Sequence, residues 1–147
     1  MGNLTEAQDH LEAVAASYDP DQHRQLVHLL GHDPLVGALS YLSFVRWHRG
    51  YPEQALAAKQ RAAAFAGELD HPYSAGYAAS FGAMLQQMLG QPRECQAEGE
   101  RALAIGREGG YPMWVAIGRL TTGWAMAQQG QSAAGIAQLR EGLAGWE

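Results

Sequence analysis

Six histidines, one cysteine and fifteen carboxylates are the side chains in this sequence that could do chemistry. His28 and His32 stand at the i, i+4 spacing by which a helix offers two imidazoles to zinc. Gly31 and Pro34 break the helix between and after them, and no Glu occupies the place where an H-E-x-x-H site needs its base. Asp33, His23 or His10 could complete a tetrahedral set only if the connecting chain folded back, so capping and surface roles are expected and no metal is predicted. His48, beside Trp47, is a candidate titrating group in a groove. Cys95 excludes an intrachain disulfide framework or a thiolate-rich zinc site by being alone. A packing role is expected for it, because it shares its repeat position with Ala55 and Gly135. General acid–base catalysis needs two carboxylates, or a histidine and a carboxylate, converging in one concavity. Here the carboxylates gather on what reads as an outer layer. The glycine-rich run 106–110 closes a helix instead of opening one, so its amides point away from a would-be phosphate. No G-x-x-x-x-G-K-[ST] loop occurs, and Lys59, the only lysine, follows no glycine-rich turn. These observations predict a protein that is not an enzyme and carries no cofactor.

The bulk composition agrees. A chain of 147 residues with 47% apolar and 17% charged side chains is sized for one domain with a buried core. Ten Lys and Arg against fifteen Asp and Glu give a formal charge of −5, which leaves no basic surface to neutralise phosphates and argues against nucleic acid as a partner. The N-terminus has no basic segment followed by an apolar one. The least charged stretch, 72–89, is interrupted by Ser74, Ser80, Gln86, Gln87 and two glycines, so it reads as a buried helix and not a membrane span. A cytoplasmic location is the expectation.

An internal repeat sets the elements that position these residues. Gly50, Gly90 and Gly130 are each forty residues apart, and at the same offset Ala55, Cys95 and Gly135 fall in register, as do Ala62, Ala102 and Gly142. Pro72 and Pro112 repeat the interval, with Pro34 two residues off it. A period of this size carrying two helical runs is the mark of an α-solenoid. Each unit divides into helix A, a glycine turn and helix B. Pro34, Pro72 and Pro112 suit the first position of helix A, where a missing N–H costs nothing, with Asp33 as a cap. The three glycines suit the left-handed position that closes helix A. Pro52, Pro92 and Ser132 restart the chain as helix B. Upstream, Thr5 with Gln8 reads as a capping box opening a helix to about Ser17, the B helix of a truncated earlier unit. Asp19-Pro20 then starts a short helix ending at Gly31. No strand pattern persists. The expectation is an all-α solenoid of seven or eight helices in one domain over 1–147: an N-terminal segment 5–31 and repeats 32–70, 71–110 and 111–147.

The two helix types differ in chemistry. B helices carry Glu53, Lys59, Arg61 and Glu68, then Arg93, Glu94, Glu98, Glu100, Arg101, Arg107 and Glu108, which reads as a solvated layer. A helices carry only Arg46 and Arg49 in the first unit, no charge in the second and Arg119 in the third. A helix apolar nearly all round must be covered on more than one side, so part of the A surface is expected to face a groove, a partner or another copy. Gly135 and Gly142 stand where alanines are expected in the last B helix, and are read as weakening it by about 1 kcal/mol each. Ile136, Leu139 and Leu143 near the end at Trp146-Glu147 read as an uncapped outer face.

The repeat resembles the tetratricopeptide repeat, although the period exceeds the usual one. More specifically, Gly31-His32-Asp33-Pro34, Leu39-Ser40-Tyr41-Leu42, Gly50-Tyr51-Pro52-Glu53-Gln54-Ala55-Leu56, His71-Pro72, Gly123-Trp124-Ala125 and Gln138-Leu139-Arg140-Glu141-Gly142-Leu143 resemble the C-terminal repeat region of large bacterial signalling proteins. Those proteins combine a class III adenylate or guanylate cyclase, an ATPase module and a tetratricopeptide tail. The resemblance runs from about Thr5 to Glu147. It implies a right-handed superhelix with A helices lining the concave face, and an interaction or sensor module and not the cyclase.

In such repeats one stripe of helix A supplies ligand contacts. Carried over, the stripe comprises Gly37, Ser40, Phe44, Trp47 and His48; Tyr77, Ser80, Met84, Gln87 and Met88; and Ile117, Leu120, Trp124, Ala127 and Gln128. The groove candidates are Phe44, Trp47, His48, Tyr77, Met84, Gln87, Met88, Trp124 and Gln128. No lysine or arginine is among them, so the cationic clamp of peptide-carboxylate binders is missing. An apolar or amphipathic protein segment, or a second copy in a homo-oligomer, is the expected partner. The rival expectation is a small-molecule sensor in which Trp47, His48, Tyr77 and Trp124 enclose an aromatic pocket.

Overall fold

A computed structural model of the protein describes residues 2–145, and all regular secondary structure among them is helical. Helix α1 (Leu4–Ser17) is followed by two single-turn helices, α2 (Pro20–His23) and α3 (Val27–Leu30), joined by a 3-10 turn. Six long helices then alternate as A and B: α4 (Pro34–His48), α5 (Pro52–Glu68), α6 (Pro72–Met88), α7 (Pro92–Gly109), α8 (Pro112–Gln128) and α9 (Ser132–Ala144). The helices from α4 to α9 touch in order, α1 docks on α4, and the A helix α6 also touches the A helices on either side, α4 and α8. This is the predicted all-α repeat solenoid.

Punctuation explains the boundaries. Pro34, Pro72 and Pro112 take the first helical position, and the Asp33 carboxylate accepts from the Leu35 and Val36 amides. Gly50, Gly90 and Gly130 have φ of 84°, 69° and 87°, a left-handed backbone that a Cβ would strain. Gly31, at φ 77°, closes α3 and separates His28 from His32, so the two imidazoles do not share a helix. Two caps differ from expectation. Asn3, not Thr5, caps α1 by accepting from the Glu6 amide at 3.2 Å, because Thr5 already lies inside the first turn. Gln8 is turned to other work, donating to Glu12 and accepting from Arg49. Ser132 is the first residue of α9, preceded by Gln131, and no side chain caps that helix.

The core forms two clusters. Val36, Ala66, Tyr77, Ala78, Trp114 and Ile117 join the A helices across units, and Leu39, Leu42, Ala58 and Ala62 join α4 to α5 with Leu11 and Ala15 of α1 leaning on them. Behind the A helices, small residues bring backbones into contact. A Cβ on Gly135 would lie 2.5 Å from the carbonyl oxygen of Gly123, and one on Gly142 would lie 2.9 Å from the Leu120 side chain. These glycines are therefore part of the contact surface of α9 on α8, a packing role that the propensity reading left out. The B layer is not wholly solvated either. Lys59 of α5 and Glu98 of α7 form an ion pair, their side chains only 14% and 16% exposed. Ile136 and Leu143 are exposed on α9, as expected, but Leu139 is half-buried against Gly123 of α8 and is not part of the outer face, and Trp146-Glu147 lie outside the described residues.

Candidate aromatic cleft on the A-helix face

The arginines at the A helices, two at the end of α4 and one on α8, reach to neighbouring elements, and α6 carries no charge. Arg46 pairs with Glu12 of α1 at 2.9 Å, Arg49 donates to Gln8 at 2.6 Å, and Arg119 meets Glu141 of α9 at 3.2 Å. The Arg46 hydrogen bond holds the Glu12 carboxyl below the usual carboxylate range. These contacts tether α1 and α9 to the outer A helices and leave the opposite face without a cation.

That face carries a run of rings. His32 stacks on Tyr77 with centroids 4.4 Å apart, Tyr77 on Phe81 at 4.6 Å, and Phe81 on Phe44 at 5.0 Å. Tyr41 meets Phe81 edge-on, and Trp114 meets Tyr77 edge-on, in the offset and T-shaped geometries that ring quadrupoles prefer. His32 fits there because Gly37 lies beneath it: a Cβ on Gly37 would meet the imidazole at 2.5 Å. Burial holds the His32 imidazole below its ordinary pKa. Burial, with the Tyr41 phenol beside it, pushes the Tyr77 phenol well above the ordinary tyrosine value, so Tyr77 stays neutral through the physiological range.

Beside this run lies a half-open cleft of about 390 Å³. Tyr41 stands on its α4 side, α6 lines it with Tyr77, Phe81, Met84 and Gln87, and α8 lines it with Met113, Trp114, Ile117, Leu120 and Thr121. Tyr77, Trp114, Ile117 and Thr121 are buried and make the floor. Tyr41 and Met113, 51% and 42% exposed, make the rim. Thr121 donates its hydroxyl to the Ile117 carbonyl at 2.8 Å and has no donor left for a ligand. No ionised side chain lines the cleft.

Of the predicted groove residues, Tyr77, Met84 and Gln87 line the cleft, and Phe44 supports it through Phe81. Trp47, His48, Met88, Trp124 and Gln128 do not line it. Trp47 and His48 pack edge-on against each other near the end of α4, where His48 Nδ1 bonds the Phe44 carbonyl. Of the four residues of the sensor expectation, Tyr77 lines this cleft and Trp47, His48 and Trp124 do not. Ser40 and Ser80 are buried and absent from the lining, whereas their successors Tyr41 and Phe81 are part of it. Tyr41 and Phe81 each stand one residue, roughly 100° of helix, from the predicted Ser40 and Ser80, while Tyr77, Met84 and Gln87 keep the predicted phase. On α8 the predicted Ile117 and Leu120 line the cleft, and Met113 and Trp114 extend the lining one turn toward the start of the helix.

A second cleft, polar and larger at about 740 Å³, lies between 20–33 and the α5–α6 turn, with Arg24, His28, His71 and several carboxylates on its walls. Among the described residues no three His, Cys, Asp or Glu side chains gather as metal ligands, and no helix is long and apolar enough to cross a membrane. Cys95 is buried with its Sγ 3.5 Å from the Thr121 carbonyl oxygen, and burial pushes the thiol up to about 12.

No family model matches the chain, and neither a curated protein nor a solved structure is significantly similar to it.

Proposed function

We propose that the protein is a non-enzymatic interaction module of tetratricopeptide type, using its A-helix face to bind an apolar or amphipathic segment or a second copy of itself. The single observation that carries the reading is the uncharged aromatic face left after Arg46, Arg49 and Arg119 have been paired elsewhere. Such a surface gains by desolvation and offers a charged ligand no counter-charge. Rigid rings beside the adaptable thioethers of Met84 and Met113 are the side chains that anchor protein contacts. The sequence likeness to the repeat tails of bacterial cyclase–ATPase signalling proteins supports a role in assembling or regulating a signalling protein. A reducing, cytoplasmic setting fits the lone buried thiol.

Sedimentation equilibrium over a concentration series tests this reading on the wild type, Met113→Glu on the A face and Leu143→Glu on the terminal face. Association abolished by Met113→Glu and kept by Leu143→Glu supports it. Association lost only with Leu143→Glu moves the interface to the end of the solenoid and contradicts it.

A further inference from the structure

We infer that the cleft between α6 and α8 is a binding site for a small, uncharged aromatic molecule with one polar edge, an activity beyond the binding of protein segments. Its size falls within the range of small-ligand sites. It is half open, with a buried floor between the exposed Tyr41 and Met113.

The walls specify the ligand. Charge is excluded, since a buried ion would lose hydration with no partner to replace it, and the arginines of α4 and α8 are engaged outside the cleft. Aromatic character follows from the rings of the lining: Tyr41 on the rim is exposed, with Phe81 edge-on to it at 5.1 Å, over the buried Tyr77 and Trp114. With His32 and Phe81 stacked on Tyr77, and Trp114 almost fully buried, the exposed Tyr41 ring is the one against which an incoming ring can lie. Met84 and Met113 place a thioether on each wall, a favourable neighbour for a ring. The single polar edge follows from the donors and acceptors available. Thr121 has spent its hydrogen on the Ile117 carbonyl, while the half-buried Gln87 amide bonds no other described side chain and can both donate and accept.

Titration of the full chain with N-phenyl-1-naphthylamine, a neutral aromatic fluorophore, tests the site at protein concentrations where sedimentation shows monomer. Anilinonaphthalene sulfonate serves as the anionic counterpart. The neutral probe is expected to saturate at one per chain, to quench tryptophan emission and to bind more tightly than the anion. Met113→Glu, on the exposed rim, is expected to weaken it by about tenfold or more through uncompensated desolvation. Met84→Leu should keep binding and Leu143→Glu should leave it unchanged. Circular dichroism confirms that each variant is folded, and the rim position of Met113 keeps the test usable if a Met84 variant does not fold. No saturable binding, equal affinity for the anion, or binding indifferent to Met113→Glu overturns the site. Because the titration is made on the monomer, it fails or succeeds independently of self-association.

Discussion

Lys59 of α5 and Glu98 of α7 pair directly above Gly82 of α6, where a Cβ would come within 3.0 Å of the lysine Cε. The absent side chain at Gly82 makes room for an ion pair that ties two B helices across an A helix. Removing one partner leaves the other charge in a mostly dry place. Glu98→Ala should cost about 2 kcal/mol, less than the roughly 3–5 kcal/mol of a fully buried pair because both side chains retain some exposure. Urea unfolding measures it, and the double variant Lys59→Met/Glu98→Leu should recover most of the loss.

Two glycine-to-alanine substitutions should move stability in opposite directions. At Gly67, nothing lies within 4 Å of a new Cβ, so Gly67→Ala should stabilise by about 0.5–1 kcal/mol through helix propensity. At Gly135, backbone atoms of Gly123 and Ala127 lie within 2.8 Å of the new Cβ. Gly135→Ala must force α9 off α8 and should destabilise by about 2 kcal/mol or more. Thermal unfolding of both variants gives the two signs.

How the fold and the cleft could be read from the sequence follows from the same residues. The forty-residue interval and the Pro and Gly punctuation located every long helix from α4 to α9, because caps and left-handed turns are local chemistry. The phase of the A-face stripe was legible at Tyr77, Met84 and Gln87 but not at Ser40 and Ser80. A helix apolar all round has no polar side to orient it, so Ser40 and Ser80 were chosen where Tyr41 and Phe81 face the cleft. The Lys59–Glu98 pair joins residues of different units and has no local signal. Gly135 and Gly142 did carry one: they share register with Cys95 and Ala102, small residues that are also buried at helix contacts.

Alkaline pH should loosen the N-terminal segment. Tyr18 donates to Asp33 Oδ2 at 2.7 Å, and Asp33 in turn caps α4 by accepting from the Leu35 amide and gives its own amide to Ser74 Oγ. Burial first, then the Asp33 carboxylate, raises the Tyr18 phenol to about 12. The unfolded chain loses that proton near the ordinary value of about 10. This contribution to stability is thus intact below pH ~10 and lost as pH rises through the folded value. Denaturant midpoints should fall over that window, and the fall should shrink in Tyr18→Phe.

Cys95 should be inert in the folded protein. With its thiol buried and raised to about 12, almost no thiolate exists at pH 8. Ellman's reagent should label it only after denaturant is added; prompt labelling of the native chain would show that the α7–α8 contact opens readily.

The central claim, that the uncharged A face is the binding surface, is tested most directly by oxidative footprinting in dilute and concentrated solution. Tyr41 and Met113 are predicted to lose reactivity as the chain associates, while Leu143 on α9 keeps its own. Constant reactivity at Tyr41 and Met113, with protection confined to Ile136 and Leu143, would contradict the account.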